Sequence, residues 1–210
     1  MKVLLVNGSP NSEGTTYAAL KEIADTLKNA GIESEIFWIG REPVGGCMHC
    51  GKCREIKQCV VNDAVNEFRL KALEAHGFVF GTPVHFAGAS GSMTGFMDRL
   101  FFSEMANGNA AFRLKPAAVV VAARRAGTTA AFDQMVKYPA ISEMPIVSSS
   151  YWNMVFGAKA ADVTHDEEGL YTMQDIGRNM AYLLRCIEAA KGQGINPPPR
   201  GKKPSTNFVR

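Results

Sequence analysis

The chain opens with a short apolar run that passes through a turn rich in glycine and hydroxyl groups into a helical pattern. The segment Val3 to Asn7 is almost entirely apolar, and the turn Gly8 to Thr16 follows it directly. From Thr15 to Ala30, apolar residues recur at helical spacing and stop at Gly31. A buried strand that enters a helix through a short turn is the first half of a parallel β–α–β unit. This feature restricts the chain to an α/β architecture.

The rest of the chain repeats this alternation of strand and helix patterns. Further strands are predicted at Glu33–Ile39, Phe78–Gly81, Ala117–Ala123 and Pro145–Ser148, and further helices at Ala64–Ala75, Ser92–Met105, Thr128–Lys137 and Met173–Lys191. The pattern therefore predicts a doubly wound, five-stranded parallel sheet with helices on both faces. Ligands of such sheets bind at the carboxyl ends of the strands. The loops after the first, third and fourth strands are thus the candidate site.

Composition and charge exclude several classes of protein. The apolar and charged fractions, 46% and 20%, are those of an ordinary globular domain. The net charge of +3 is spread without a basic block, so we expect neither a nucleic-acid nor a membrane partner. The longest apolar run, Ala117–Ala123, is far shorter than the ~20 residues of a membrane helix. With no recognisable signal peptide, we expect a cytoplasmic protein.

The predicted domain spans residues 1–191. One loop within it and the tail that follows it differ from it in composition. A cysteine-rich loop, residues 45–61, follows the second strand. The tail, residues 192–210, contains Pro197–Pro199 and the basic pair Lys202–Lys203 and is unsuited to forming a core. We expect this tail to be disordered or to lie on a neighbouring subunit.

The turn after the first strand has the composition of an anion-binding loop. Backbone N–H groups at a helix N-terminus carry partial positive charge, and short polar side chains add donors. The loop contains neither Gly-Lys-Ser/Thr nor Gly-x-Gly-x-x-Gly, which excludes the usual nucleotide loops. The alternative is an ordinary helix N-cap. The candidate phosphate-binding residues are Ser9, Asn11, Ser12, Gly14, Thr15 and Thr16.

The loops after the third and fourth strands have the composition of a site for a planar ring. The loop after the third strand combines a Thr-Pro step, an aromatic pair and several glycines. The loop after the fourth strand carries two arginines whose charge would stabilise a reduced, anionic flavin. One alternative is that the histidine is an ordinary loop residue with hydrogen-bond partners nearby. The other is that the two arginines form a solvated turn. The candidate ring-binding residues are Thr82, Pro83, Val84, His85 and Phe86 in the first loop and Ala123, Arg124, Arg125 and Gly127 in the second.

Four of the five cysteines fall in the loop 45–61 with the spacing Cys-x2-Cys-x2-Cys-x5-Cys. These candidate metal ligands are Cys47, Cys50, Cys53 and Cys59. Two-residue spacers let thiolates of one loop reach different irons of a compact cluster, so a [4Fe–4S] cluster is predicted. Zinc and unligated thiols or disulfides are the alternatives. The fifth, Cys186, lies in an apolar helical pattern and is expected to be a core residue.

These motifs resemble those of the flavodoxin-like NAD(P)H-dependent FMN reductases and, among them, the iron–sulfur flavoproteins. Gly8-Ser9-Pro10 with Gly14 and Thr16 is similar to the FMN-phosphate loop of that family, and Thr82–Phe86 is similar to its isoalloxazine loop, in which Tyr often replaces His85. The resemblance extends from Met1 to about Lys137. It implies a flavodoxin-like fold with bound FMN, a cluster in the cysteine loop, and a homodimer or homotetramer.

The function predicted from these observations is that of an FMN-dependent oxidoreductase with a one-electron cluster. NAD(P)H is a candidate electron donor, and a small molecule or a ferredoxin is a candidate electron partner. One alternative is a clusterless NAD(P)H-dependent FMN or quinone reductase. Another is a non-catalytic sensor that binds flavin or zinc.

Overall fold

The computed structural model describes residues 1–201, 204, 206 and 208. Strands are β1 (Lys2–Asn7), β2 (Glu33–Trp38), β3 (Gly77–His85), β4 (Gly88–Ala89), β5 (Ala117–Ala123) and β6 (Met154–Phe156). Helices are α1 (Thr15–Asn29), α2 (Cys53–Ile56), α3 (Ala64–Glu74), α4 (Gly91–Ala106), α5 (Thr128–Ile141) and α6 (Glu167–Gly192), with a 3-10 helix at Ala160–His165.

Five of the strands form one parallel sheet in the order β2-β1-β3-β5-β6. The chain moves outward from β1 in one direction to β2 and in the other to β3, so the order of the sheet reverses between β1 and β3. The short strand β4 is not part of this parallel set, since it folds back antiparallel on the end of β3. The predicted doubly wound, five-stranded α/β fold is confirmed.

Alternate residues of the strands point into two apolar cores, one on each face of the sheet. Leu4 and Val6 of β1 pack with helices α3, α4 and α5, and Val3 and Leu5 pack with α1 and α6. Because side chains of a strand alternate between faces, a continuously apolar strand is what a sheet covered on both sides requires.

The last strand and the last helix differ from the prediction. The segment Pro145–Ser148 is not a strand, since only an isolated bridge joins Ile146 to Ala117. The fifth parallel strand is β6, and α6 begins at Glu167 rather than Met173. Asp166 caps this helix by accepting a hydrogen bond from the Gly169 N–H group (3.0 Å). Such a cap satisfies an N–H group that has no partner within the helix, which accounts for the earlier start.

The segment after α6 folds back onto the same chain. The Arg113 guanidinium donates to the Pro198 carbonyl oxygen (3.0 Å), and Arg200 donates to the Gly108 carbonyl oxygen (2.9 Å) and pairs with Glu143. Pro198 and Arg200 thus have contacts within their own chain, which the sequence did not indicate. Lys202 and Lys203 lie outside the described residues. Within the described part of the chain, no helix combines the length and apolar character needed to cross a membrane.

Candidate functional site

A cleft of about 550 Å³ opens at the carboxyl edge of the sheet, beside the ends of β1, β3 and β5. Its volume falls within the range of about 300–1,000 Å³ that is usual for small-molecule sites. Ten of the predicted cofactor residues line it: Ser9, Asn11, Gly14, Thr15, Thr16, Pro83, Val84, His85, Ala123 and Arg124. Three loops far apart in sequence therefore meet at one site, as the topology predicts.

The phosphate loop is held in shape by its own polar groups. The Ser9 N–H donates to Asn7 Oδ1 (3.1 Å), and the Asn11 N–H donates to Ser9 Oγ (3.1 Å). Trp38 Nε1, at the end of the neighbouring strand β2, donates to the Ser9 carbonyl oxygen (2.8 Å). These bonds fix the loop before any ligand arrives, which lowers the cost of ordering it on binding.

The N-terminus of α1 is free of side-chain caps and of acidic residues in its first turn. Its first N–H groups lack partners within the helix and carry its partial positive charge toward the cleft. The Thr16 hydroxyl is buried but has no hydrogen-bond partner among the described residues. A buried hydroxyl without a hydrogen-bond partner destabilises the protein unless a ligand supplies that partner. These observations fit the phosphate group of FMN and not a merely capped helix.

The ring loop is a two-residue β-hairpin that projects beside the cleft. His85 pairs with Gly88, and the turn residues Phe86 and Ala87 have φ angles of 48° and 62°. Positive φ at both positions is typical of a type I′ turn, for which Asn-Gly would be the favourable sequence. The Phe86 side chain is fully exposed at the tip. The chain thus keeps an apolar ring in a strained turn directly after His85, which lines the cleft, and such strain is common at functional sites.

Thr82 has a different position from the rest of the ring loop. It is completely buried, and its hydroxyl accepts a hydrogen bond from the Ser90 N–H (3.1 Å). The side chain of Thr82 therefore orients the start of α4 and does not line the cleft, whereas Pro83, Val84 and His85 do.

The third loop contributes one arginine to the cleft. Both arginines are exposed, but Arg124 lines the cleft and Arg125 does not. Gly127 has a φ of 93° and approaches the hairpin so closely that an added Cβ would lie 2.5 Å from the Cα of Ala87. Only glycine fits this contact, which makes Gly127 a packing residue between the loop and the hairpin.

A fourth segment lines the cleft that the sequence did not indicate. Residues 157–161 follow β6 and face the phosphate loop, and they include Lys159. The Thr15 hydroxyl donates to the Gly157 carbonyl oxygen (3.4 Å), so this segment is joined directly to the N-terminus of α1. The last strand was predicted at Pro145–Ser148, so the sequence did not show that this segment follows a strand. A lysine shortly after the end of a strand is the signal that points to it.

A second cleft of about 600 Å³ lies between α1 and the edge strand β2, and Ser12 lines this one. It contains none of the ring-loop residues and no residue that follows β3 or β5. Because the sheet order reverses between β1 and β3, the first cleft, and not this one, occupies the position where ligands of such sheets bind. Of the predicted cofactor residues, Ser12, Thr82, Phe86, Arg125 and Gly127 do not line the first cleft.

The cysteine loop rests on α4. A Cβ at Gly95 would lie 2.3 Å from the carbonyl oxygen of Val44, just before the loop, and 3.1 Å from that of Gly45, so the start of the loop touches the helix backbone there. Further along, Phe102 packs edge-on against the His49 ring, and Asn107 Nδ2 donates to the Cys53 carbonyl oxygen (3.1 Å). The N-cap of the same helix, Ser90, lies under the ring loop. One helix therefore carries both candidate sites.

The four loop cysteines line one shared cavity beside α4. Burial raises the pKa of the Cys53 thiol, and the charges of Cys47, Cys50 and Cys59 raise it further. In the described residues, no three His, Cys, Asp or Glu side chains are gathered closely enough to hold one metal ion. Each thiolate of a cubane cluster binds a different iron, so such a cluster does not need them to converge on one point. Four thiols on one cavity are the donor set of such a cluster, and a single zinc ion also takes four thiolates.

The backbone and the sulfur of Cys59 both form hydrogen bonds with neighbouring side chains. Asn66 accepts from the Cys59 N–H (3.0 Å) and donates to the Cys59 carbonyl oxygen (2.9 Å). Arg99 Nε donates to Cys59 Sγ (3.3 Å). Burial alone would lower the pKa of Arg99, but the hydrogen bonds to Asp63 and Cys59 outweigh it and the pKa is raised. The guanidinium beside the thiol therefore stays charged. The fifth cysteine, Cys186, is exposed and not a core residue, contrary to the prediction.

The fold and the position of the cleft define the class of protein. A parallel sheet whose order reverses between β1 and β3, with a phosphate loop at that point, is the arrangement of flavodoxin-like proteins. A solved archaeal flavodoxin has this fold, with a TM-score of 0.59 at 13% identity over 88% of this chain and 99% of its own.

Residues 1–159 match the family of NADPH-dependent FMN reductases, and the chain belongs to that family. An iron–sulfur flavoprotein of Methanocaldococcus jannaschii is 29% identical over 90% of this chain and 100% of its own. An iron–sulfur flavoprotein of Archaeoglobus fulgidus is 28% identical over 91% of this chain and 96% of its own. The prediction of an FMN-binding, NAD(P)H-dependent oxidoreductase is thereby confirmed.

Proposed function

We propose that this FMN-binding oxidoreductase carries a [4Fe–4S] cluster on Cys47, Cys50, Cys53 and Cys59 and uses it as a one-electron relay to the flavin. The observation that carries the proposal is that these four thiols line one cavity on the helix that also supports the ring loop. The names of the relatives above point in the same direction.

The residues of the cleft have separate tasks in this proposal. The N-terminus of α1 and the Thr16 hydroxyl hold the FMN phosphate, and the hairpin at His85 and Phe86 positions the isoalloxazine ring. Arg124 supplies a positive charge that favours the reduced, anionic ring. The bound flavin supplies two-electron exchange with NAD(P)H and one-electron exchange with the cluster.

Lys159 is a further candidate for the phosphate end of the cleft. It lies in the segment after β6 that faces the phosphate loop, where a cation would add to the attraction of the α1 N-terminus. Glu13 lines the same cleft and would oppose an anion; its side chain and that of Lys159 are both exposed, so solvent screens both charges.

The remaining features of the proposal concern partners. NAD(P)H is the proposed electron donor, and a small molecule or a ferredoxin is the proposed electron partner at the cluster. Cys47, Cys50 and Met48 are exposed, so an electron partner could approach this side of the loop. A homodimer or homotetramer is proposed from the resemblance to the iron–sulfur flavoproteins.

A clusterless reductase is the second candidate. The exposure of Cys47 and Cys50 favours it, since thiols at a surface also serve as free, oxidisable groups. In that case the loop would contribute no electron relay, and NAD(P)H would reduce the flavin directly.

Metal and flavin analysis of anaerobically prepared protein separates the two candidates. With a cluster, we expect about four irons and four sulfides per chain together with one FMN. Cys50→Ser should lose the iron and keep the FMN, whereas Cys186→Ser, the matched control outside the loop, should keep both. One zinc per chain, or no metal in the wild type, would contradict the cluster and favour the second candidate.

Rapid mixing with NADPH or NADH tests the enzymatic part of the account. Bleaching of the flavin absorbance in the wild type and in Cys50→Ser would show that the nucleotide reduces the flavin without the cluster. Bleaching in the wild type alone would place the cluster on the route of the electrons from the nucleotide. An unreduced flavin with both nucleotides would exclude NAD(P)H as the donor.

A further inference from the structure

An ion pair with one buried and one partly exposed partner faces the cysteine loop and is not required by the flavin site. The Arg99 side chain in α4 is 4% exposed, and its guanidinium contacts the carboxylate of Asp63 with two hydrogen bonds (2.6 and 2.9 Å). It also donates to the Val61 carbonyl oxygen (2.9 Å) and, through Nε, to Cys59 Sγ (3.3 Å). Arg99 therefore joins the sulfur to the backbone and the carboxylate that follow it.

A buried arginine is costly unless every donor is used, and a neutral thiol is a poor acceptor for it. The contact becomes favourable when the sulfur carries negative charge, as a metal-bound thiolate does. Asp63 is 32% exposed, so solvent screens its charge more than that of Arg99. The positive charge of the pair thus lies on its buried side, next to the cysteine cavity.

Resting on the cluster proposed above, we infer that Arg99 is a positioning residue for Cys59 and that Arg99 and Asp63 together set the reduction potential of the cluster. Hydrogen bonds and positive charge near the sulfurs stabilise the more negative, reduced state of an iron–sulfur cluster. Arg99 raises the potential, and Asp63 lowers it by compensating the charge of Arg99.

Two variants with opposite expected effects test this inference. Arg99→Gln should shift the midpoint potential of the cluster to a lower value, because the charge and the donor to Cys59 are both lost. Asp63→Asn should shift it to a higher value, because Arg99 keeps its charge without compensation. Asn at 63 still serves as an N-cap for α3, where Asp63 accepts from the Val65 N–H (3.1 Å), so the helix start is retained.

Arg69→Gln is the matched control. Arg69 also forms a buried ion pair with α4, through Glu104 (2.6 Å), but it has no cysteine contact. Its loss should destabilise the protein while leaving the cluster potential unchanged. If Arg99→Gln fails to fold, Arg99→Lys, which keeps the charge but loses the Nε donor, should give a smaller shift in the same downward direction.

Anaerobic titration of each variant, followed by the electron paramagnetic resonance of the cluster, gives its potential, and the flavin absorbance in the same sample gives that of FMN. Potentials of the cluster that move in opposite directions while that of FMN stays constant would support the inference. Equal potentials in the wild type, Arg99 and Asp63 variants would overturn it and leave the cluster itself in place. Absence of a cluster in the wild type would instead overturn the proposed function and this inference with it.

Discussion

The Ser90 hydroxyl donates a hydrogen bond to the Gly8 carbonyl oxygen (3.0 Å), although the two residues are 82 positions apart in the sequence. Gly8 begins the phosphate loop, and Ser90 is the N-cap of α4 directly after the ring loop. The Gly8 N–H also donates to the Gly81 carbonyl oxygen (2.9 Å). The phosphate and ring loops are therefore joined at their bases by buried bonds.

Ser90→Ala should weaken FMN binding although Ser90 does not line the cleft. The substitution leaves the buried Gly8 carbonyl oxygen without this donor and removes an N-cap, which together should cost about 1–3 kcal/mol of unfolding free energy. We expect the dissociation constant of FMN, measured by flavin fluorescence, to rise. Ser103→Ala, which removes a buried hydroxyl of the same helix that donates to the Leu100 carbonyl oxygen, should leave it unchanged.

Thr16→Val should separate stability from binding. The Thr16 hydroxyl has no partner among the described residues, so its loss should leave the apo-protein as stable as the wild type or more so. If the hydroxyl donates to the phosphate, FMN binding should weaken by about 1.5–3 kcal/mol, roughly tenfold or more. Urea unfolding without FMN and titration with FMN measure the two effects. A destabilised apo-protein with unchanged FMN affinity would assign Thr16 to the core instead.

The hairpin turn should gain stability when its residues are replaced by those that prefer positive φ. Phe86→Asn/Ala87→Gly should raise the unfolding free energy by about 2 kcal/mol, because the left-handed conformation costs other residues about 1–2 kcal/mol each and Asn relieves only part of that cost. The same change should weaken FMN binding, since it removes the exposed ring that follows His85 beside the cleft. Ala87→Gly alone relieves strain and keeps the ring, so it should retain FMN affinity. A less stable double variant would show that the turn is not strained.

Arg124→Gln should lower the midpoint potential of FMN, because a positive charge beside the ring favours its reduced, anionic form. Arg125→Gln is the control, since Arg125 is equally exposed but does not line the cleft. The difference between the variants should shrink at high salt, which screens exposed charges. Equal potentials in both variants at low salt would remove Arg124 from the account of flavin tuning.

The parts of the fold and site that could be predicted are those with a local signal. The phosphate loop occupies consecutive residues, and the cysteine spacing lies within one loop, so both could be read directly from neighbouring residues. The last strand could not, because Pro145–Ser148 and Met154–Phe156 are both short and apolar. Only the pairing with β5 decides between them, as in the bond from the Gly157 N–H to the Ala123 carbonyl oxygen (2.9 Å).

Contacts between distant segments account for what the sequence could not predict. Arg99 is not part of a motif and lies 40 positions from Cys59 in the sequence. Nothing in the neighbouring sequence distinguishes it from a surface arginine. Lys159 lines the cleft because of where β6 lies in the sheet, which the sequence around Lys159 does not show. Thr82 looked like a ligand-binding residue because it lies in the right loop, but burial directs its hydroxyl to Ser90.

We propose that one helix, α4, supports a flavin site at its start and a cluster site along its side. An iron-edge anomalous diffraction map of crystals grown anaerobically with FMN would show both sites at once. We expect flavin density in the cleft with the phosphate at the α1 N-terminus, and one iron peak bounded by Cys47, Cys50, Cys53 and Cys59. Flavin density in the cleft between α1 and β2, or a cysteine loop without iron in protein that contains iron elsewhere, would contradict it.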